Sequence, residues 1–96
     1  MAGMPDAVAT VLIDNERVRV TEWRFPPGAH TGWHRHELDY VVNPLTVGRL
    51  KLVGPGDAVT YGELDPRKPY YRGRGVEHDV INDSDFEVAF LETEIR

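Results

Sequence analysis

Turn-forming residues interrupt this sequence so often that only short extended segments fit between them. Clusters of proline, glycine, asparagine and aspartate occur at residues 26–28, 54–57, 65–69 and 82–85. Between these turns, Arg17 to Phe25 alternates strictly and places Trp23 and Phe25 on one face. A period of two indicates a β-strand, and no segment of similar length shows helical periodicity. The pattern predicts about eight or nine short strands in an all-β barrel or sandwich, since closure removes the exposed edges of so many strands.

The length of 96 residues sets the expected domain organisation. We expect a loose N-terminus over residues 1–7 and a single barrel domain over residues 8–96. A domain this small has a limited core, so association with a second subunit would add buried surface. Trp23 and Trp33 lie on the odd-numbered faces of the segments 17–25 and 29–36, where they pack either in the core or at an interface. The small core and these faces together predict a homodimer.

Composition narrows the possible partners. The net charge of −5 argues against nucleic acid and anionic membranes, because both require basic surfaces. There are no cysteines, so disulfides, thiolate metal sites and a cysteine nucleophile are excluded. The sequence has no run of 18 apolar residues and no charged-then-apolar leader, which predicts a soluble, cytoplasmic protein. The expected partner is a small-molecule ligand or substrate.

Histidines supply the clearest candidate site. His34 and His36 have one residue between them. On a strand this spacing puts both side chains on one face, with their Cα atoms about 6–7 Å apart. Two imidazoles so placed can bind one ion, and His78 can supply a third ligand from a distant strand. We predict one divalent transition metal ion at these three residues, with Fe, Mn, Zn and Ni as candidates. The alternative is that they are ordinary packed or surface histidines.

Three other residues are candidates for substrate binding. His30 shares the face of His34, but about 13 Å of strand would separate them, which leaves a substrate contact or simple exposure to solvent. Gly32 lies between them and either leaves room for a ligand over the metal or marks a bend. Arg72 is a candidate to bind a carboxylate, with a solvated arginine as the alternative.

The same residues resemble the motifs of the cupin family. Cupins carry a first motif, G-x5-H-x-H-x(3,4)-E-x6-G, and a second, G-x5-P-x-G-x2-H-x3-N. The first is matched by Gly28, His34, His36 and Gly48, and the second by Gly75, His78 and Asn82. The resemblance covers most of the chain and implies a single-domain jelly-roll β-barrel, often dimeric, with a metal ion inside.

A narrower resemblance is carried by three short segments. These are residues 14–20, Gly-Trp-His-Arg-His at 32–36 and Asp-Tyr-Val-Val at 39–42. They look like the short cupins linked to β-alanine degradation.

The sequence departs from the motifs at the carboxylate ligand. Depending on the spacing, Tyr40 or Val41 stands where the glutamate should be, and Arg67 and Gly73 replace the opening glycine and the proline of the second motif. Tyr40 is therefore a candidate catalytic residue that donates a hydrogen bond to the bound ligand, or else an aromatic that fills the barrel. Asp39 has the opposite strand parity, so at most one of the two should point inward.

The missing carboxylate has a chemical consequence. Three neutral imidazoles leave a divalent ion with its full charge, which favours anionic ligands and acidifies bound water. Two function classes follow. One is a metalloenzyme with oxygenase- or hydrolytic-type chemistry on a small metabolite that bears a carboxylate. The other is a non-catalytic module that binds or senses a small ligand in the same pocket. Both stay open from the sequence, with the enzyme favoured.

Overall fold

The computed structural model describes residues 3–96, which form an almost entirely β structure. Its strands are β1 (Val8–Asp14), β2 (Val18–Phe25), β3 (His34–Arg35), β4 (Asp39–Pro44), β5 (Gly48–Val53), β6 (Val59–Leu64), β7 (Tyr70–Arg72), β8 (Glu77–Asn82) and β9 (Val88–Ile95). A single 3-10 turn at Pro55–Asp57 is the only helical element in this part of the chain. The predicted all-β class is confirmed, and the nine strands agree with the predicted count of eight or nine.

The strands form two antiparallel sheets that face each other. One has the order β1-β2-β9-β4-β7 and the other the order β3-β8-β5-β6. β2 and β9 pair along their whole length, from Val18 opposite Ile95 to Phe25 opposite Val88. Apolar side chains of both sheets form one core, whose buried strand members are Phe25, Tyr40, Val42, Val88 and Phe90 on the first sheet and Leu50, Leu64 and Val80 on the second.

The alternation of β2 has the predicted period, but it turns its tryptophan inward. Trp23 packs against the core, and its ring centroid lies 6.2 Å from that of Phe25. The odd-numbered face of β2 therefore faces the interior and cannot be a subunit interface, which corrects that part of the dimer prediction. Trp33, in contrast, is 55% exposed.

Asn82, which closes the second motif, has a structural role in the fold. Its side chain is almost completely buried. Its amide nitrogen donates to the backbone carbonyls of Phe25, Pro26 and Phe86 at 3.1, 3.2 and 2.8 Å, and its oxygen accepts the N–H of Ser84 at 2.9 Å. One side chain thus satisfies backbone groups where β2 ends and β9 is about to begin.

Gly48, which closes the first motif, is required by packing. Its φ angle is 152°, and a Cβ at this position would lie 2.5 Å from Cγ1 of Val88. Val88 is fully buried and has no space into which it can move. Only glycine tolerates both the backbone angle and this close approach.

The segment before β1 makes backbone contacts with the barrel. The N–H of Ala7 donates to the carbonyl of His30 at 2.9 Å, and the N–H of His30 donates to the carbonyl of Pro5 at 3.0 Å. Met1 and Ala2, part of the predicted loose terminus, lie outside the described residues, and the domain boundary at residue 8 stays a prediction. Within residues 3–96 no helix is long and apolar enough to span a membrane.

Candidate metal centre

Pairing between β3 and β8 brings the three predicted ligands together. His34 lies directly opposite His78 in this ladder, and His36 follows β3 by one residue. The Nε2 atom of His36 lies 3.0 Å from Nε2 of His34 and 3.3 Å from Nε2 of His78. The ring planes are steeply inclined to one another, at 68–89°. The three nitrogens therefore converge on one point.

The hydrogen bonds behind two of these rings determine which nitrogen carries the proton. Nδ1 of His34 lies 2.9 Å from the carbonyl oxygen of Gly32, which can only accept, so this nitrogen holds a hydrogen and donates it. Nδ1 of His36 lies 3.1 Å from a carboxylate oxygen of Glu92. Burial, with the neighbouring His34 and His78, lowers the pKa of His36 to about 4, so the ring is neutral, and donation from Nδ1 to the Glu92 carboxylate leaves the lone pair on Nε2.

Nε2 of His34 and Nε2 of His36 are 3.0 Å apart, a distance at which two imidazole nitrogens share either a proton or a metal ion. A transition metal binds imidazole nitrogen at about 2.0–2.1 Å, and at that length the two separations correspond to N–ion–N angles of about 90–110°. These angles span the octahedral and tetrahedral values. The donor set therefore fits a divalent transition metal ion, and the cluster is the one group in residues 3–96 with such convergence.

His78 differs from the other two in its surroundings. Burial, followed by the effect of His34, lowers its pKa to about 4, so it too is a neutral donor. Metal-bound histidines usually donate their other ring N–H to a partner. His34 and His36 have such an acceptor, whereas for Nδ1 of His78 the part of the chain from residue 3 onward provides none.

Glu92 is a feature of the site that the sequence analysis missed. Its side chain is buried between β2 and β4, where the residue is 7% exposed, and burial raises the pKa of its carboxyl to about 7. The indole N–H of Trp23 donates to its second oxygen at 2.7 Å. Alternation along β9 was the available signal, because the buried residues Val88 and Phe90 share its face.

Tyr40 occupies the position of the absent motif glutamate. It is 3% exposed, and its ring stacks on that of His36 with a centroid distance of 3.9 Å. Asp39 lies at the surface, where it accepts the N–H of Arg74 at 2.8 Å. Val41 is on the same outward side of β4 as Asp39, so the shorter motif spacing is the one that fits. Burial raises the pKa of Tyr40, which keeps the phenol protonated.

Comparisons with known proteins agree with this architecture. The chain is 57% identical over 97 residues to "Beta-alanine degradation protein BauB" of Pseudomonas aeruginosa, with both chains covered completely. It is 54% identical to a cupin domain of Bordetella pertussis Tohama I, whose crystal structure superposes with a TM-score of 0.95 over 100% of this chain and 99% of that one. The chain belongs to the cupin family.

More distant proteins share the fold alone. A Klebsiella pneumoniae protein with a double-stranded β-helix domain has a TM-score of 0.79 at 14% identity, covering 99% of this cupin and 81% of that chain. No family model matches the sequence. The jelly-roll prediction and the resemblance to cupins linked to β-alanine degradation are both confirmed.

The histidines of this cupin open into a cavity of about 240 Å³. Its wall combines apolar side chains with a few polar ones, and the polar members beyond the histidines are Thr31, Tyr40, Thr60, Tyr70, Arg72, Glu77 and Glu92. Arg72 makes no ion pair with any residue from 3 to 96, and its guanidinium carbon lies 5.4 Å from the ring centroid of Tyr70. It is thus a cation at the cavity without a carboxylate partner in the described chain.

His30 and Gly32 lie outside the residues that line this cavity. Nδ1 of His30 is 3.0 Å from Oδ2 of Asp79, and Asp79 also accepts the N–H of Gly32 at 3.1 Å. Gly32 has a φ of 87°, so the segment bends here and is not the continuous strand that the sequence suggested. Substrate contacts by His30 and Gly32 stay predictions. Of the three candidates for substrate binding, only Arg72 lines the cavity.

Proposed function

We propose that this cupin is a metalloenzyme that acts on a small metabolite bearing a carboxylate. His34, His36 and His78 would hold one divalent ion, with Fe, Mn, Zn and Ni as candidates. The observation that carries the proposal is the convergence of three histidine Nε2 atoms, with that of His36 at 3.0 Å from His34 and 3.3 Å from His78. When bound, such an ion would act as a Lewis acid and support hydrolytic- or oxygenase-type chemistry.

The chain's own residues supply recognition. Arg72 presents a guanidinium that can bind a carboxylate through two parallel hydrogen bonds. The Tyr40 phenol stays protonated and can donate to a ligand oxygen. Apolar wall residues such as Leu52 and Val80 exclude water, which strengthens both interactions. The name of the Pseudomonas relative refers to β-alanine, a small carboxylate, and supports this substrate class.

Calorimetry with propionate tests the proposal, with propionamide as the uncharged probe. We expect the metal-loaded protein to bind propionate and not propionamide, and Arg72→Gln to weaken propionate binding by about tenfold or more, the loss typical of a charge-assisted hydrogen bond. Arg74→Gln is the matched control, since both arginines are exposed but only Arg72 lines the cavity.

Removing the ion distinguishes the enzyme from a binding module. Stripping the metal should abolish propionate binding without unfolding the barrel. If metal-free and metal-loaded protein bind propionate equally well, protein groups alone hold the anion, and the binding or sensing module becomes the better account.

We also propose that the protein is a homodimer, and that β1 forms the contact. All seven residues of β1 are exposed, and it is the edge strand of its sheet. Its apolar members include Val11, Leu12 and Ile13, at 56%, 52% and 49% exposure. A long apolar edge strand in solution normally pairs or is covered.

A cytoplasmic location stays a prediction.

Sedimentation at micromolar concentration tests the dimer. We expect twice the chain mass for the wild type and a monomer for Leu12→Arg, because the arginine would place a charge in the contact. Val59→Arg is the control, at an exposed apolar site on β6. A single wild-type species near 10.9 kDa would contradict the proposal.

A further inference from the structure

A carboxylate lies inside the barrel behind one of the three histidines. Glu92 is buried among the strands of the five-stranded sheet, and its two oxygens have different partners. Oε1 is 3.1 Å from Nδ1 of His36, and Oε2 accepts the indole N–H of Trp23 at 2.7 Å. A buried carboxylate needs such partners, since without them burial is very costly.

The direction of these contacts matters. Nδ1 and Nε2 lie on different sides of an imidazole ring, and Nε2 of His36 points to the other histidines. Glu92 therefore does not belong to the converging donors, and the group of potential ligands contains histidines only. It instead acts on His36 from the side away from the ion.

We propose that Glu92 is the positioning residue of this centre: it fixes His36 in the orientation and tautomer that aim a bare Nε2 at the ion. The inference rests on the proposed metal site and deepens it. Glu92 thereby provides, behind a ligand, a carboxylate to a site whose first motif lacks one. Tyr40 also restrains the His36 ring, because the two rings stack on each other.

Trp23 has a defined part in this arrangement. An indole N–H can only donate, so it occupies one carboxylate oxygen and leaves the other for His36. In the β2–β9 ladder Thr21 lies opposite Glu92, and Trp23 lies opposite Phe90. The long side chain of Trp23 reaches Glu92 past the small side chain of Thr21. Trp23 thus fixes one oxygen of the Glu92 carboxylate, and the other oxygen contacts His36.

Glu92→Gln is the decisive variant. Glutamine replaces one of the two carboxylate oxygens by an NH2 donor, so it cannot present an acceptor to both His36 and Trp23, which bind different oxygens. We expect Co²⁺ affinity, measured by competition with a chelator, to fall by about 10- to 100-fold, the range found when a partner behind a metal ligand is lost. The visible bands of the bound Co²⁺ should also shift, because the orientation of one ligand changes.

Glu94→Gln is the matched control. Glu94 lies two residues further along the same strand and binds Arg19 instead of a histidine, at 2.8 Å. It loses the same charge, so its Co²⁺ affinity and spectrum should remain those of the wild type. Trp23→Phe should cause a smaller loss of affinity than Glu92→Gln, since it frees one oxygen but leaves the contact with His36.

The outcomes separate this inference from the proposed function. If the wild type binds no Co²⁺, the metal site itself is wrong. If the wild type binds Co²⁺ and His36→Ala does not, but Glu92→Gln has the wild-type affinity and spectrum, Glu92 serves only to satisfy Trp23 and the inference is overturned. Should Glu92→Gln fail to fold by circular dichroism, Trp23→Phe decides, and an unchanged affinity and spectrum there would likewise overturn it.

Discussion

Replacing His36 by alanine is expected to abolish stoichiometric binding of a divalent transition metal. His36 has the largest effect of the three because its Nε2 lies within 3.0 and 3.3 Å of both other donors. Without His36, only the Nε2 atoms of His34 and His78 remain as donors. His34→Ala and His78→Ala should also lose stoichiometric binding. Metal analysis after reconstitution and removal of free ion measures the effect.

A stability measurement gives the same prediction a second readout. An ion at 100 times its dissociation constant stabilises the native state by about 2.7 kcal/mol. The wild type should show this gain in urea unfolding when the metal is added, and His36→Ala should show none. His30→Ala is the control, because His30 is bonded to Asp79 away from the centre and should keep the full metal content. Full metal content in all three ligand variants would show that other residues bind the ion.

Asn82→Asp is expected to destabilise the fold strongly, whether or not metal is present. The change replaces a buried amide donor by a carboxylate oxygen that faces the carbonyls of Phe25, Pro26 and Phe86. The lost hydrogen bonds and the buried, unpaired charge together should cost about 3 kcal/mol or more. For a domain of this size, the melting temperature should fall by about 10 °C or more.

Urea denaturation at neutral pH measures this loss, and Asn43→Asp is its control. Asn43 is also on a strand, but it is exposed, so the same change of charge should have little effect there. Equal unfolding free energies for the two variants would mean that the Asn82 network does not hold β2 and β9 together.

The parts of the fold that follow from local patterns were predictable from the sequence. Strict alternation in β2 and the turns at glycine, proline and aspartate determine where strands begin and end. His34 and His36 could be predicted as ligands of one ion because they are close in sequence and share one face of a strand. Assigning His78 required the second motif, since only the β3–β8 ladder places it opposite His34.

The missed features depend on which strands become neighbours. Alternation along β9 indicates that Glu92 points inward, but its place beside His36 depends on β9 lying between β2 and β4, which no local pattern reveals. The spacing of the first motif left Tyr40 and Val41 as equal choices, and the inward direction of Tyr40 follows from its place in β4 beside the buried Val42. The sequence left open whether Gly32 makes room for a ligand or marks a bend, because a positive φ cannot be read from a single glycine.

The distance along the chain between the ligands affects when the centre can form. His36 and His78 are 42 residues apart in sequence, and strands β4 to β7 lie in the loop between them. Closing a loop of this length costs chain entropy before any contact repays it. The complete three-nitrogen set therefore assembles only when the intervening strands have found their places. An ion held by all three nitrogens would therefore bind late in folding, after the barrel has closed.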